Sequence, residues 1–254
     1  MSEEKKTKEL TTTPQEEQAM VAKLREMSGE SGGGVDVHFV NFNGKEGKFY
    51  EPTKEKDEKG KVIKKSLGKT LEGIIVKSRN RVKVLNKDKE KCFQSAEFDS
   101  YTENLVVYDG NKKKVAEGTY QTIKLALEIK MEKVLYLKVK DTDQITKLSV
   151  KGASLVNFFD YLNSFDRTKN ESATRQYTTF GGVSDENDFG VFYKMTFERG
   201  DSIELVEALE LVEGLDKALN AIKTKNNTEE VTPESNFPED EEGENDIKVE
   251  DIPF

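Results

Sequence analysis

Four cations recur at every second position in Lys77-Ser78-Arg79-Asn80-Arg81-Val82-Lys83. On an extended strand, alternate side chains share a face, so Lys77, Arg79, Arg81 and Lys83 would stand about 6.5–7 Å apart on one side. Such a row can follow successive phosphates of a nucleic-acid backbone with salt-sensitive affinity that is blind to sequence. Residues 54–91 hold 14 Lys and Arg against 6 acids, a net of +8, with Lys64 and Lys65 just ahead of the row. Selecting unpaired strands also requires rings on which bases stack, at about 1–3 kcal/mol per base. Phe49, Tyr50, Tyr101 and Tyr108 are the candidates, with Phe42, Phe93 and Phe98 nearby. Tyrosine suits an exposed stacking position because its hydroxyl tolerates water. The competing reading, a solvated strand face beside ordinary core rings, has equal weight on these residues alone.

Other chemistry finds little material. Gly68-Lys69-Thr70 resembles the end of a phosphate-binding loop, but Ile63 stands where its first glycine is required. Asp185-Glu186-Asn187-Asp188-Phe189-Gly190 resembles the start of a calcium loop; Phe189 falls on a ligand position, and Thr196 replaces the bidentate Glu. The single histidine, His38, and the single cysteine, Cys92, leave no histidine-based triad, internal disulfide or cysteine-based zinc cluster to build. A non-enzymatic binding protein without cofactor or metal is expected.

These residues must be positioned by a mainly β domain with helices. Val35–Asn41, Lys48–Tyr50, Leu71–Leu85, Phe93–Phe98, Asn104–Tyr108, Lys133–Lys140, Ile145–Val150, Gln176–Phe180 and Phe189–Phe197 read as strands, with turns at Asn43-Gly44 and Asp109-Gly110. The first strand alternates Val35, Val37 and Phe39 against Asp36, His38 and Val40, and Lys54–Lys61 reads as a charged loop. Thr119–Ile129 fits either periodicity, and a short helix is the reading taken. Ala153–Phe165 predicts a largely buried helix, and Ile203–Ile222 an amphipathic one. Three regions follow. Residues 1–34 combine a polar start, an amphipathic helix opened by Thr13-Pro14-Gln15-Glu16 and a Gly-rich linker. That helix docks either on its own domain or on a second copy. Residues 35–224 form the α+β body, expected as an antiparallel barrel. Residues 225–254 form a disordered acidic tail.

The formal net charge of −9 is unevenly placed: Glu229–Phe254 carries 11 acids and one Lys, a net of −10, which leaves +1 for residues 1–228. No stretch approaches 18 apolar residues and no secretion signal opens the chain, so a soluble cytoplasmic protein with no membrane role is expected.

The tail closes on Glu250-Asp251-Ile252-Pro253-Phe254. An acidic run ending in these apolar residues resembles the tip of bacterial-type single-stranded DNA-binding proteins, closely at Asp251–Phe254 and less closely upstream, where Lys248 and Val249 interrupt the acids. The resemblance implies a body that binds single-stranded DNA in replication, recombination or repair, and a tip that recruits partner enzymes of those processes. It covers about a tenth of the chain. The body exceeds the family's compact OB-fold, so an elaborated OB-fold, as in phage-encoded proteins of this function, is the expected architecture, in a nucleoid or host-cell cytoplasm. The physics of the tip agrees: Phe254 fills a pocket, its carboxylate can be captured, Pro253 restricts the chain, and the acids steer toward a basic surface. Three alternatives remain: an acidic-tailed interaction or DNA-mimic protein, an RNA-binding OB-type protein and, less favoured, a carboxylate-dependent nuclease.

Overall fold

The computed structural model describes residues 38–58, 60, 62–84, 91–142, 145–188 and 190–226. The expected N-terminal helix, the Gly-rich linker and the tail with its tip lie outside them.

Eleven strands form one mixed sheet: β1 (His38–Asn43), β2 (Lys48–Lys56), β3 (Val62–Gly68), β4 (Leu71–Val84), β5 (Phe93–Ser95), β6 (Leu105–Asp109), β7 (Lys114–Gly118), β8 (Met131–Val139), β9 (Ile145–Lys151), β10 (Gln176–Asn187) and β11 (Gly190–Ser202). Among the described residues three α-helices accompany them: α1 (Tyr120–Ala126), α2 (Ser154–Asn163) and α3 (Leu205–Asn226). The strand order is β3-β2-β1-β9-β8-β4-β5-β6-β7, with β10 added beside β4 and β11 beyond it. β1 runs parallel to β9, and the other pairings are antiparallel.

β4 is the strand around which the sheet divides. It pairs with β8 from Gly73 to Val82. Along its other edge, Leu71–Ile74 pair with β10, while Lys83 and Val84 pair with β5. Gly73 suits this crowding, since a Cβ there would lie 2.7 Å from the Lys138 carbonyl oxygen. A bulge lies between Ile75 and Lys77.

Each helix covers its own core. Leu155, Phe158 and Tyr161 of α2 pack with Val40, Phe49, Ile75, Leu135, Leu148, Phe180 and Met195, drawn from β1, β2, β4, β8, β9, β10 and β11. α3 lays Leu205, Ala208, Val212, Leu215 and Leu219 on Ile74, Val76, Val134 and Tyr136, on the other face. α1 closes a smaller core with Tyr120 and Ile123 on Val82, Phe98 and Val107. The two periodicities of Thr119–Ile129 are thereby resolved. Thr119 caps a helix by accepting from the Thr122 amide, Ile123 is buried, and Leu125 is 91% exposed.

The expectation of an antiparallel barrel is corrected: the sheet is mixed and does not close. Its ends approach without a ladder between them. The Tyr193 amide on β11 donates to the Gly44 carbonyl at 2.6 Å, and at Met195 the Ser154 hydroxyl accepts from the amide while the Asn157 side chain donates to the carbonyl. Side-chain groups of α2 thus satisfy part of an edge that a barrel would satisfy with strand. Three further differences have local causes. The charged loop at Lys54–Lys61 is shorter, because β2 runs to Lys56 and a new strand, β3, starts at Val62. β7 adds a strand after the Asp109 turn, where the Asp109 carboxylate accepts from the Asn111 and Lys113 amides. β10 and β11 extend through the calcium-loop-like stretch, which is their hairpin turn.

Candidate nucleic-acid interface

The row on β4 forms as a strand but does not face solvent. Lys77 is 1% exposed and Arg79 is 3% exposed. Cations survive burial only when carboxylates and hydrogen bonds replace the lost water. Lys77 reaches Asp216 on α3, with Nζ to Oδ1 at 2.8 Å. The bulge ahead of it puts Lys77 on the α3 side together with Ile74 and Val76, although period two would place a residue at 77 opposite to both. Arg79 makes a two-pronged contact with Asp99, Nε to Oδ1 at 2.8 Å and Nη2 to Oδ2 at 3.2 Å, and also donates to the Glu97 carbonyl at 3.0 Å. Arg81 pairs with Glu132 and donates to the Ser149 hydroxyl at 3.1 Å. Lys83 is half-buried. Arg79 and Arg81 thus balance carboxylates brought from beyond β5 and from β8, and Lys77 one brought from α3.

A further cation, Lys147 on β9, joins Arg79 at Glu97. Its ammonium lies 3.0 Å from Glu97 Oε1 and 4.8 Å from the centre of the Tyr136 ring, and the Tyr136 hydroxyl donates to Glu97 Oε2 at 2.5 Å. Burial by itself would raise the Glu97 carboxyl; Lys147, the Tyr136 hydroxyl and Arg79 outweigh it and hold Glu97 below its ordinary value. Burial and the neighbouring Glu97 charge push the Tyr136 hydroxyl far above the usual tyrosine range.

The rings divide. Phe49 is fully buried against Phe42, at 5.1 Å between centroids, so it is a core residue and offers no stacking face. Tyr50 is half-buried and donates to Glu46, a bond that raises the Tyr50 hydroxyl and lowers the Glu46 carboxyl. Tyr101 and Tyr108 are exposed. Tyr101 sits against Phe98 and Tyr120 with its hydroxyl 3.1 Å from Met131 Sδ, while Tyr108 stands on β6 opposite Gln94 and Lys114. Tyr50 on β2 is separated from Tyr108 on β6 by five strands in the sheet order, and Tyr101 lies between β5 and β6, so the expected rings do not converge. Lys64 and Lys65 are exposed on the edge strand β3, opposite Pro52 and Glu51. Lys56, Lys64 and Lys65 of the β2–β3 hairpin are exposed, in a stretch, residues 48–69, that holds eight Lys and four acids, a net of +4.

No family model, curated protein or solved structure matches the chain.

Two residues outside the expected set stand out. Phe39 is 47% exposed and Val40 is 4% exposed, which reverses the alternation read for β1. Val40 pairs with Leu148 and joins the α2 core, which turns Phe39 to the other face. Lys147 was hidden among many lysines; only its pairing with Phe39 across β1 and β9 marks it. His38 accompanies them on β1, with Nδ1 2.9 Å from Glu51. Among the described residues, no group of three His, Cys, Asp or Glu could hold a metal ion, and no helix is long and apolar enough to cross a membrane. The Gly68-Lys69-Thr70 stretch is the exposed end of β3 and the turn into β4.

Proposed function

We propose that the chain binds single-stranded DNA without sequence preference and uses its acidic segment to recruit proteins of replication, recombination or repair. One observation carries the reading. The net negative charge lies in Glu229–Phe254, which closes on Asp251-Ile252-Pro253-Phe254 after a body of net +1. Acidic residues ahead of an apolar anchor suit a peptide that docks on a basic groove. An elaborated OB-type body is the finer part of the proposal. It is supported by β2 and β10, strands that do not pair with each other yet contribute Phe49 and Phe180 to one core around α2.

The burial of the β4 row moves the phosphate contacts outward, to Lys64, Lys65 and the rest of the β2–β3 hairpin. A second reading draws on the same burial. With Lys77, Arg79 and Arg81 neutralised internally, the body keeps fewer outward cations, which favours an acidic-tailed interaction protein. Titration of a labelled, unstructured deoxyoligonucleotide at two salt concentrations, with the full chain and with a chain lacking residues 229–254, separates the two. The DNA-binding reading expects binding at low salt that weakens steeply with added salt and tightens when the acidic segment is removed. Absence of binding by either protein at low salt overturns it. A parallel ribo-oligonucleotide of the same sequence shows whether RNA is preferred.

A further inference from the structure

We infer that the sheet face displaying Phe39 and Tyr50 is a stacking platform for unpaired bases. The inference rests on the nucleic-acid reading above and assigns the contact to residues other than the β4 row. Residues opposite one another across a ladder project to the same face. Phe39 pairs with Lys147, and Asn41 pairs with Tyr50, which in turn pairs with Ser66. Phe39 and Asn41 are two residues apart on one strand, so Phe39, Asn41, Tyr50, Ser66 and Lys147 share a face. It is the face that α3 covers over β4 and β8. At β1 that cover has ended, as the 47% exposure of Phe39 shows.

A lone exposed apolar residue needs no explanation. Phe39 differs in its setting. Its backbone pairs with Lys147 on β9, and the ladder of the same strand with β2 begins two residues on, at Asn41. The Lys147 ammonium lies 5.8 Å from its ring centre and is itself fixed by Glu97 at 3.0 Å. The ring is therefore positioned from below by a buried network while its outer part meets solvent. Tyr50 lies diagonally across the β1–β2 ladder, at about 7–8 Å by the geometry of such neighbours. Beside them run β2 and β3, with a net charge of +4 over residues 48–69. Two rings on a rigid surface with cations along one margin match the requirements of an unpaired strand: bases on the rings and phosphates along the lysines. An apolar peptide would not call for that margin.

The chain contains no tryptophan, so Phe39→Trp installs a single reporter. The experiment measures affinity by anisotropy of a labelled deoxyoligonucleotide and, separately, the Trp emission of the variant. The expected result has three parts: quenching of the emission on saturation, an affinity near wild type for Phe39→Trp, and about a tenfold loss for Phe39→Ala with an unchanged salt slope. Leu125→Ala, on the far α1, should bind as wild type. Thermal unfolding of each variant checks that the fold is intact. Wild-type affinity for Phe39→Ala, or binding by Phe39→Trp without quenching, overturns the platform while leaving DNA binding in place. No binding by the wild-type chain overturns both. Emission that is already shielded without DNA, and that shifts to longer wavelength when residues 1–34 are deleted, assigns the face to the chain's own N-terminal segment and also overturns the proposal.

Discussion

At the scale of single residues, the decisive feature is a carboxylate held charged in a sheltered place. Glu97 accepts from Tyr136 and Lys147 and lies beside Arg79, and its carboxyl is lowered below 4.5 in spite of burial. A carboxyl depressed in the folded state gives stability that is fully present above its unfolded value, near pH 4.5, and is lost as pH falls through the lower folded value. Glu97→Gln should cost on the order of 3 kcal/mol at neutral pH, because it leaves Lys147 and Arg79 less well compensated. It should also flatten the acid side of a plot of Tm against pH. An acid limb identical to wild type would show that Glu97 contributes nothing there. The β4 residues explain why this network was hard to read from sequence. Period two found that Arg79 and Arg81 lie on a strand; nothing in the local sequence said that Asp99 and Glu132 would be folded onto them. The same limit applies to Phe39. Alternation in Val35–Val40 admits two phases, and the packing of Val40 on Leu148, far along the chain, chooses between them.

At the scale of elements, two joints hold the assembly. The first fastens α3 to the sheet. Its apolar face is continuous from Leu205 to Leu219, and the Lys77–Asp216 pair sits within that contact, with the lysine side chain wholly covered and the aspartate partly exposed. Asp216→Ala should destabilise by about 3–5 kcal/mol, whereas Lys77→Met with Asp216→Leu should come close to wild type, since an apolar pair avoids the desolvation cost of both charges. Chemical denaturation of the two variants checks this. Equal losses in both would mean that the pair's charges are not what matters. The helix was legible from its 3.6-residue periodicity; its ionic contact was not, because Lys77 and Asp216 are separated by most of the fold. The second joint brings the β10–β11 hairpin to the β1–β2 turn. Gly47 has φ +63°, and a Cβ there would lie 2.6 Å from the Tyr193 ring. Strain and overlap act together, so Gly47→Ala should lose about 1–3 kcal/mol, and Tyr193→Ala in the same background should lessen that loss. A Gly47→Ala protein as stable as wild type would show that the turn yields without cost.

At the scale of the whole molecule, charge is sorted twice. Along the chain, the acids are concentrated in Glu229–Phe254, a division visible in the sequence by counting. In space, the cations of β4 are drawn inward onto carboxylates, while Lys64 and Lys65 on β3 stay exposed. The first sorting was legible because composition needs no geometry. The second needed the fold, and it moves the proposed contact surface from one long strand to a different part of the sheet. The mainly β character with three helices was also legible, because the strand and helix periodicities are local. The open, mixed sheet was not: the parallel pairing of β1 with β9 leaves no mark in either strand.

That pairing, with the one between β4 and β10, bears on how the chain reaches its native state. His38 is matched to Thr146, and Ile74 to Tyr177, so two of the ladders close very long loops. Loop closure must precede the gain from such contacts, which slows folding. During synthesis β1 emerges with only the β2 hairpin to pair with, and β4 waits for nearly the whole body before its first four residues find β10. The nascent protein therefore carries open strand edges for much of its translation, and the lysines of β3 are placed where they would discourage neighbouring chains from pairing there.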